Sequence, residues 1–254
     1  MNFEEFDAFT AKLCKETERV ILRYFDDPDL EVISKSDDTP VTAADREAER
    51  MIRDAIATVY PEHGIMGEEF GQQNAAADFQ WVIDPIDGTK TFAAGAPLFG
   101  TMIALLQDGE PLFGCVNYPA VRKRIAGDNQ RAFCNRAPIA ARSGVPLEQA
   151  IVLTTDVQSI PRRQNGPNFD ELLSKTRFCR TWGDCFGYFL VATGKADIML
   201  DPIMNPWDIM ALVPVLRGAG AVITDWHGGN PAKGASCIAC NPDLHESVVS
   251  ILNQ

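Results

Sequence analysis

The chain has 254 residues, 46% of them apolar and 23% charged, which suits a soluble globular protein with a substantial core in one large domain or two closely joined ones. Acidic residues outnumber basic ones 35 to 23, and a net charge of −12 leaves no basic stripe to neutralise a nucleic-acid backbone. No N-terminal apolar segment reads as a signal peptide and no apolar run approaches membrane-spanning length, so the expectation is a cytoplasmic protein with neither nucleic acid nor membrane as partner.

From the N-terminus, Phe3, Phe6, Phe9, Leu13, Val20, Ile21 and Tyr24 recur at helical spacing and predict an amphipathic helix over residues 3–25. A short strand over 30–34 and a polar turn over 35–40 follow. Thr42 then caps a second helix that runs to about Val59, with Asp45 in its first turn in a capping-box arrangement. Pro61-Glu62-His63 breaks the chain, and Gly64-Ile65-Met66-Gly67 leads into Glu68-Glu69. Residues 75–77 read as an exposed loop before a strand at 79–83. Two strands over 98–106 and 111–118 are joined by the hairpin signal Asp108-Gly109, and 121–125 and 132–141 continue the antiparallel pattern.

Near residues 147–150 the pattern changes. Segments 151–155 and 178–181 are strand-like, 168–175 and 186–193 helical, and 159–167 is a polar surface loop. Strand and helix then alternate through 196–200, 206–216, 221–226, 237–239 and 242–252. The first half therefore reads as α+β and the second as α/β. The expected division is an α+β domain over 1–148 and an α/β domain over 149–254.

The seven cysteines, an odd number scattered through apolar segments, fit buried free thiols in a reducing compartment. Cys237 and Cys240 form a lone C-x-x-C inside a strand-like run, which reads as core packing rather than a zinc site. His63, His227 and His245 sit in no triad setting, so a serine or cysteine nucleophile is not expected.

Residues 81–90, Trp-Val-Ile-Asp-Pro-Ile-Asp-Gly-Thr-Lys, carry the chemistry. A buried strand stops at Asp84; Asp87 follows three residues on, so both carboxylates and the Ile86 carbonyl can face one point. Pro85 fixes φ and removes a backbone donor, and Gly88 lets the chain bend and a ligand approach the backbone. Thr89 suits the start of a helix, where N–H groups favour a phosphate. The hard oxygen ligands suit Mg²⁺ or Mn²⁺. Taken alone, the same residues are also an Asx-type turn and a helix cap.

Four pieces together, Thr42-Ala43-Ala44-Asp45, Gly67-Glu68-Glu69, Asp84 to Lys90 and Pro206-Trp207-Asp208, resemble the inositol monophosphatase superfamily of Mg²⁺-dependent phosphatases across nearly the whole chain. The resemblance implies a layered αβαβα sandwich of the inositol monophosphatase and sugar phosphatase type, a homodimer, and two or three Mg²⁺ ions per site. It implies that Glu68, Asp84 and the Ile86 carbonyl hold the first ion, that Asp84, Asp87 and Asp208 hold the second, and that a weaker third relies on Glu68. It implies catalytic roles for Glu68, Thr89 and Asp45, with Thr89 and Asp45 orienting the attacking water, and a phosphate cradle at Gly88 and Thr89.

Within that superfamily, residues 84–92, 97–106, 182–188, 208–215 and 218–226 are most similar to the histidinol-phosphate phosphatases of histidine biosynthesis. That similarity implies a small phosphorylated metabolite carrying an ammonium group, met by Asp184, with Asp201 and Asn205 on the same approach. Trp182 stands where that pattern favours glycine, and Asp201 where glutamate is more usual. Asp184 can equally be a helix N-cap. Inositol 1-phosphate or a related sugar phosphate, 3′-phosphoadenosine 5′-phosphate, and a catalytically silent binding homologue are the competing readings. No basic cluster for a second phosphate is evident, and all four acidic metal positions are present.

Overall fold

The computed structural model describes residues 1–25, 27, 32–34 and 40–254. The strand expected over 30–34 overlaps them only at 32–34, and residues 35–39 of the turn lie outside the described residues.

Helix α1 (Phe3–Phe25) presents Phe3, Phe6, Leu13 and Cys14 along one stripe. Strands β1 (Val32–Ser34) and β2 (Pro40–Thr42) pair antiparallel and deliver the chain to α2 (Ala43–Val59). Thr42 caps α2 with Asp45 in a capping box, the arrangement expected from the sequence. Strands β3 (Gly64–Gly67), β4 (Gly71–Gln73) and β5 (Phe79–Asp87) come next, then the short α3 (Thr89–Ala93). Strands β6 (Gly100–Gln107), β7 (Glu110–Tyr118), β8 (Lys123–Gly127), β9 (Ala132–Cys134) and β10 (Ala137–Pro138) complete an eight-stranded sheet in the order β10-β9-β8-β7-β6-β5-β3-β4.

The second half starts with β11 (Ile151–Thr154), α4 (Ile160–Arg163), α5 (Gly166–Ser174), β12 (Phe178–Arg180), α6 (Asp184–Ala192) and β13 (Ile198–Asp201). It ends with α7 (Pro206–Ile209), α8 (Leu212–Gly218), β14 (Val222–Thr224), β15 (Cys237–Cys240) and α9 (His245–Leu252). Its five-stranded sheet has the order β12-β11-β13-β15-β14, with β11, β12 and β13 mutually parallel around β11.

Strand side chains alternate between faces, so each sheet sorts its apolar residues into two layers. Trp81, Ile83, Ile103 and Leu105 pack on α1 and α2 through Phe6, Leu13, Ile52 and Ile56. Their neighbours Val82, Met102, Ala104 and Leu106 point the other way, into a cluster with Tyr188 of α6, Val215 of α8 and Met199 of β13. Ile198 and Leu200 face the far side, on Phe169 and Leu172 of α5 and Val248 and Ile251 of α9. The layers are thus α1/α2, the eight-stranded sheet, α6/α8, the five-stranded sheet and α5/α9, the αβαβα sandwich expected. The central cluster draws residues from both halves of the chain. Covering both faces of both sheets explains why the strands read as continuous apolar runs.

Cys237 and Cys240, three apart on β15, fall on opposite faces and enter different clusters, as core residues. The histidines also have structural settings. His63 stacks on Tyr60 and Phe79 and accepts from Trp81 Nε1 at 3.1 Å, His245 Nε2 meets Thr224 Oγ1 at 2.9 Å, and His227 Nδ1 meets Asn253 Oδ1 at 2.5 Å.

Four local expectations are corrected. Residues 159–167 are not all loop: α4 forms there and buries Ile160, a single apolar anchor that a polar window hides. The helix expected over 206–216 is two helices, α7 and α8, separated at Met210 and Ala211. Helix α6 begins at Asp184 rather than Phe186. Strand β5 continues past Asp84 to Asp87, with the consequence described next.

Candidate active site

In a regular strand, residues three apart point to opposite faces. Asp84 pairs with Met102 of β6 and Asp87 with Gly100, so β5 spends one extra residue over that interval, a β-bulge. The inserted residue turns the strand and lets Asp84 and Asp87 serve one point. The interval holds Pro85 and Ile86; Pro85 has no N–H to leave unpaired, and Thr101 Oγ1 donates to its carbonyl at 2.9 Å. Gly88 then adopts φ of 85°, a left-handed conformation that turns the chain into α3.

Carboxylate oxygens of Asp84, Asp87 and Asp208 come within 4.8 Å of one another, Asp84 buried and the other two partly accessible. Asp208 arrives from α7, where its Oδ2 accepts from the Asn205 backbone N–H at 2.7 Å and from Asn205 Nδ2 at 3.3 Å. Asn205 is thus engaged in holding Asp208. Asp87 Oδ2 accepts from the Cys185 backbone N–H at the start of α6. Asp84 Oδ1 is buried and has no hydrogen-bond partner among the described residues.

Burial pushes the Asp84 carboxyl well above the usual carboxylate range, and the charges of Glu68, Asp87, Asp208 and Asp45 push it the same way. Asp87 is raised by burial and by Asp184 and Asp208, and Asp208 is pushed up to about 7, chiefly by burial. Crowded carboxylates with an orphaned buried oxygen form a site with a charge deficit, and the donor set is hard oxygen throughout. A divalent cation such as Mg²⁺ or Mn²⁺ fits these residues.

Asp45 lies on α2 with no exposed surface, and its Oδ2 accepts from the Thr42 N–H at 2.8 Å. Burial lifts it to about 6, against the lowering effect of its bonds from Thr42. Its other oxygen is 3.5 Å from Thr89 Oγ1, which also lies 3.1 Å from the Ile86 carbonyl. Glu68 follows β3, and its N–H donates to the Ile83 carbonyl at 3.2 Å, directly beside Asp84.

A cavity of about 260 Å³ opens beside Asp87 and Asp208 and is lined also by Asp156, Asp184, Asp201 and Lys90. Lys90 is the single basic residue of that lining. Asp201 accepts from Tyr188 Oη at 2.8 Å and from the Thr155 N–H at 3.3 Å, and burial pushes it up to about 7. Asp184 is not the N-cap, which is Gly183; it occupies the first helical position at φ of 50°, in the left-handed region. Its N–H donates to Thr155 Oγ1 at 2.8 Å, and its Oδ2 accepts from Thr91 Oγ1 at 2.8 Å. Asp184 thereby ties the start of α6 to α3, as the Cys185 N–H ties it to Asp87 at the end of β5. Asn205 is not among the residues lining the cavity.

Sequence reasoning missed Thr91, Thr155, Asp156 and Ser159. Asp156 and Asp201 sit at the carboxyl ends of the parallel strands β11 and β13, and Asp184 lies four residues past β12. Open parallel sheets gather ligands at that edge, so an acidic residue after each parallel strand was the available signal.

The model of the inositol monophosphatase family matches residues 2–254. A histidinol-phosphatase of Chlorobaculum parvum is 37% identical over 243 residues, 95% of this chain and 94% of that protein. A histidinol-phosphatase of Mycobacterium tuberculosis is 36% identical and covers 89% of each chain. The structure of an inositol monophosphatase from Zymomonas mobilis superposes over 100% of both chains with a TM-score of 0.88 at 32% identity. Enzymes of this family generally depend on divalent metal, and the acidic cluster supplies the residue types such dependence needs. A chain matched from end to end, with that cluster at the bulge of its central strand, belongs to the inositol monophosphatase family and is a phosphomonoesterase.

Proposed function

We propose that the protein hydrolyses L-histidinol phosphate to L-histidinol and inorganic phosphate. The observation that carries this reading is the charge of the cavity beyond the metal cluster. Asp156, Asp184 and Asp201 line it with Lys90 as the one basic residue, which suits a leaving group that bears an ammonium. Two of the relatives named above are histidinol-phosphatases.

Glu68, Asp84, the Ile86 carbonyl, Asp87 and Asp208 would hold two or three Mg²⁺ ions. Bound there, the ions supply positive charge to the reacting phosphate and make water more acidic. The N–H groups of Gly88, the N-cap of α3, and of Thr89, its first residue, lack intrahelical acceptors and would donate to phosphate oxygens. With its hydroxyl turned to Asp45 Oδ1, 3.5 Å away, Thr89 Oγ1 would accept a hydrogen bond from the attacking water. As the water gives its proton to Thr89 Oγ1, the Thr89 hydroxyl proton would pass to Asp45, which burial lifts to about 6. The water oxygen bonds to phosphorus as the ester P–O bond breaks, the leaving alkoxide oxygen takes a proton from solvent water in the open cavity, and the alcohol departs toward Asp184. A physiological homodimer and a cytoplasmic site of action accord with this reading.

Phosphate release from histidinol phosphate, inositol 1-phosphate and 3′-phosphoadenosine 5′-phosphate with Mg²⁺ tests it. Histidinol phosphate should have much the highest kcat/KM. A charge-assisted hydrogen bond to an ammonium is worth about 1.5–3 kcal/mol, roughly one to two orders of magnitude in kcat/KM. Asp184→Asn should lose about that much on histidinol phosphate and little on an aryl phosphate, whose leaving group has no ammonium. A preference for inositol 1-phosphate would remove the substrate assignment and leave the phosphatase standing.

A further inference from the structure

Helix α2 carries a second carboxylate one turn beyond Asp45. Glu49 has no exposed surface, and no part of the chemistry above uses it. A buried carboxylate is costly unless its oxygens are satisfied. Here Oε2 accepts from the Glu69 backbone N–H at 2.7 Å, and Oε1 accepts from the Phe70 N–H at 3.2 Å and from Arg53 Nε at 2.7 Å. Arg53 continues to the Gly71 carbonyl. The turn 68–71 is therefore gripped by an acid and a base from a single helix face. On its other side, the Glu68 N–H is pinned to the Ile83 carbonyl next to Asp84.

Gly67 makes this grip possible, since a Cβ there would overlap the Glu49 carboxylate, with Arg53 Nη2 also only 2.9 Å away. We propose that Glu49 is a positioning residue for metal binding: it fixes the backbone immediately after Glu68 and so sets where the Glu68 carboxylate projects toward Asp84. The inference rests on the reading of Glu68 as a metal ligand, and not on the identity of the substrate. Asp45 and Glu49, four residues apart, would then give α2 two tasks: one carboxylate toward Thr89, the other toward the turn that bears Glu68.

Titration calorimetry with Mn²⁺ alone, beside urea unfolding in EDTA, tests this on the full chain. Glu49→Gln keeps the side-chain size but sets an NH₂ donor against N–H groups that need an acceptor. Its dissociation constant for Mn²⁺ should rise about 10–100-fold, as for other partners that orient metal ligands, and its kcat should recover as metal is raised. Combined with Glu68→Gln it should weaken Mn²⁺ no further than Glu68→Gln alone, because both act through one ligand. A merely structural Glu49 would lower the unfolding midpoint and leave the dissociation constant unchanged; that result, or additive losses in the double variant, overturns the proposal. Should Glu49→Gln fail to fold, Arg53→Gln keeps the carboxylate and removes its partner, and the same rise in dissociation constant, smaller in size, is required. Failure of the wild-type protein to bind Mn²⁺ at all would instead refute the metal site.

Discussion

Asp84→Asn should make the metal-free protein more stable while destroying its activity. Asp84 is buried, one of its oxygens has no partner among the described residues, and carboxylate oxygens of Asp87 and Asp208 lie within 4.8 Å. Two unit charges at that separation repel by about 3 kcal/mol at an effective dielectric of about 20. Removing one charge relieves roughly that amount, and for a chain of this size it corresponds to a rise of about 6–12 °C in melting temperature. The sign depends on pH. Each of these acids has a folded pKa raised above its unfolded value, so its contribution to stability is present below the unfolded value and is lost as pH rises through the folded one, about 7 for Asp208. The wild-type protein in EDTA should therefore lose stability between about pH 4 and 8, and the advantage of the variant should be largest at the alkaline end. Thermal unfolding at several pH values, in EDTA and in excess Mg²⁺, measures this directly. With Mg²⁺ the order reverses, because only the wild-type protein gains binding energy. A variant less stable than wild type in EDTA at pH 8, or one stabilised by Mg²⁺ as much as wild type, would refute a site built for cations.

Thr89→Ala and Asp45→Asn should each lower kcat far more than KM, because both act on the water and not on ground-state binding; because asparagine caps helices about as well as aspartate, loss of stability with intact turnover would instead assign Asp45 to the cap. Gly88→Ala meets both a φ of 85° and Asp184 Oδ2 at 2.9 Å from the new Cβ, so it should cost about 1–2 kcal/mol in urea unfolding and sharply reduce turnover; unchanged values would mean that the turn has another conformation. Asp156→Asn should reduce kcat/KM for histidinol phosphate and spare an aryl phosphate, as kinetics on the two substrates will reveal.

The sequence by itself determined the elements whose periodicity is strong and the residues whose chemistry is local. The stripe of Phe3, Phe6 and Leu13, the cap at Thr42 and the hairpin at Asp108-Gly109 are legible because each depends on neighbours within one or two turns of chain. The order Asp84, Pro85, Asp87, Gly88 advertised an oxygen-rich turn for the same reason. Only the tertiary structure decided how those carboxylates meet. The bulge between Asp84 and Asp87 exists because β5 must stay paired with β6 while both acids turn to one side, a demand set by the partner strand. Asp208 joins them across more than a hundred residues. Asp184 takes a left-handed backbone that its sequence does not require, held by Thr155 and Thr91 from distant segments. Nothing local to Glu49 marks it as buried, since the amides that satisfy it belong to Glu69 and Phe70, some twenty residues away in the turn between β3 and β4. Periodicity reports which face of an element is apolar; which polar groups that face will meet depends on contacts that only the folded chain creates.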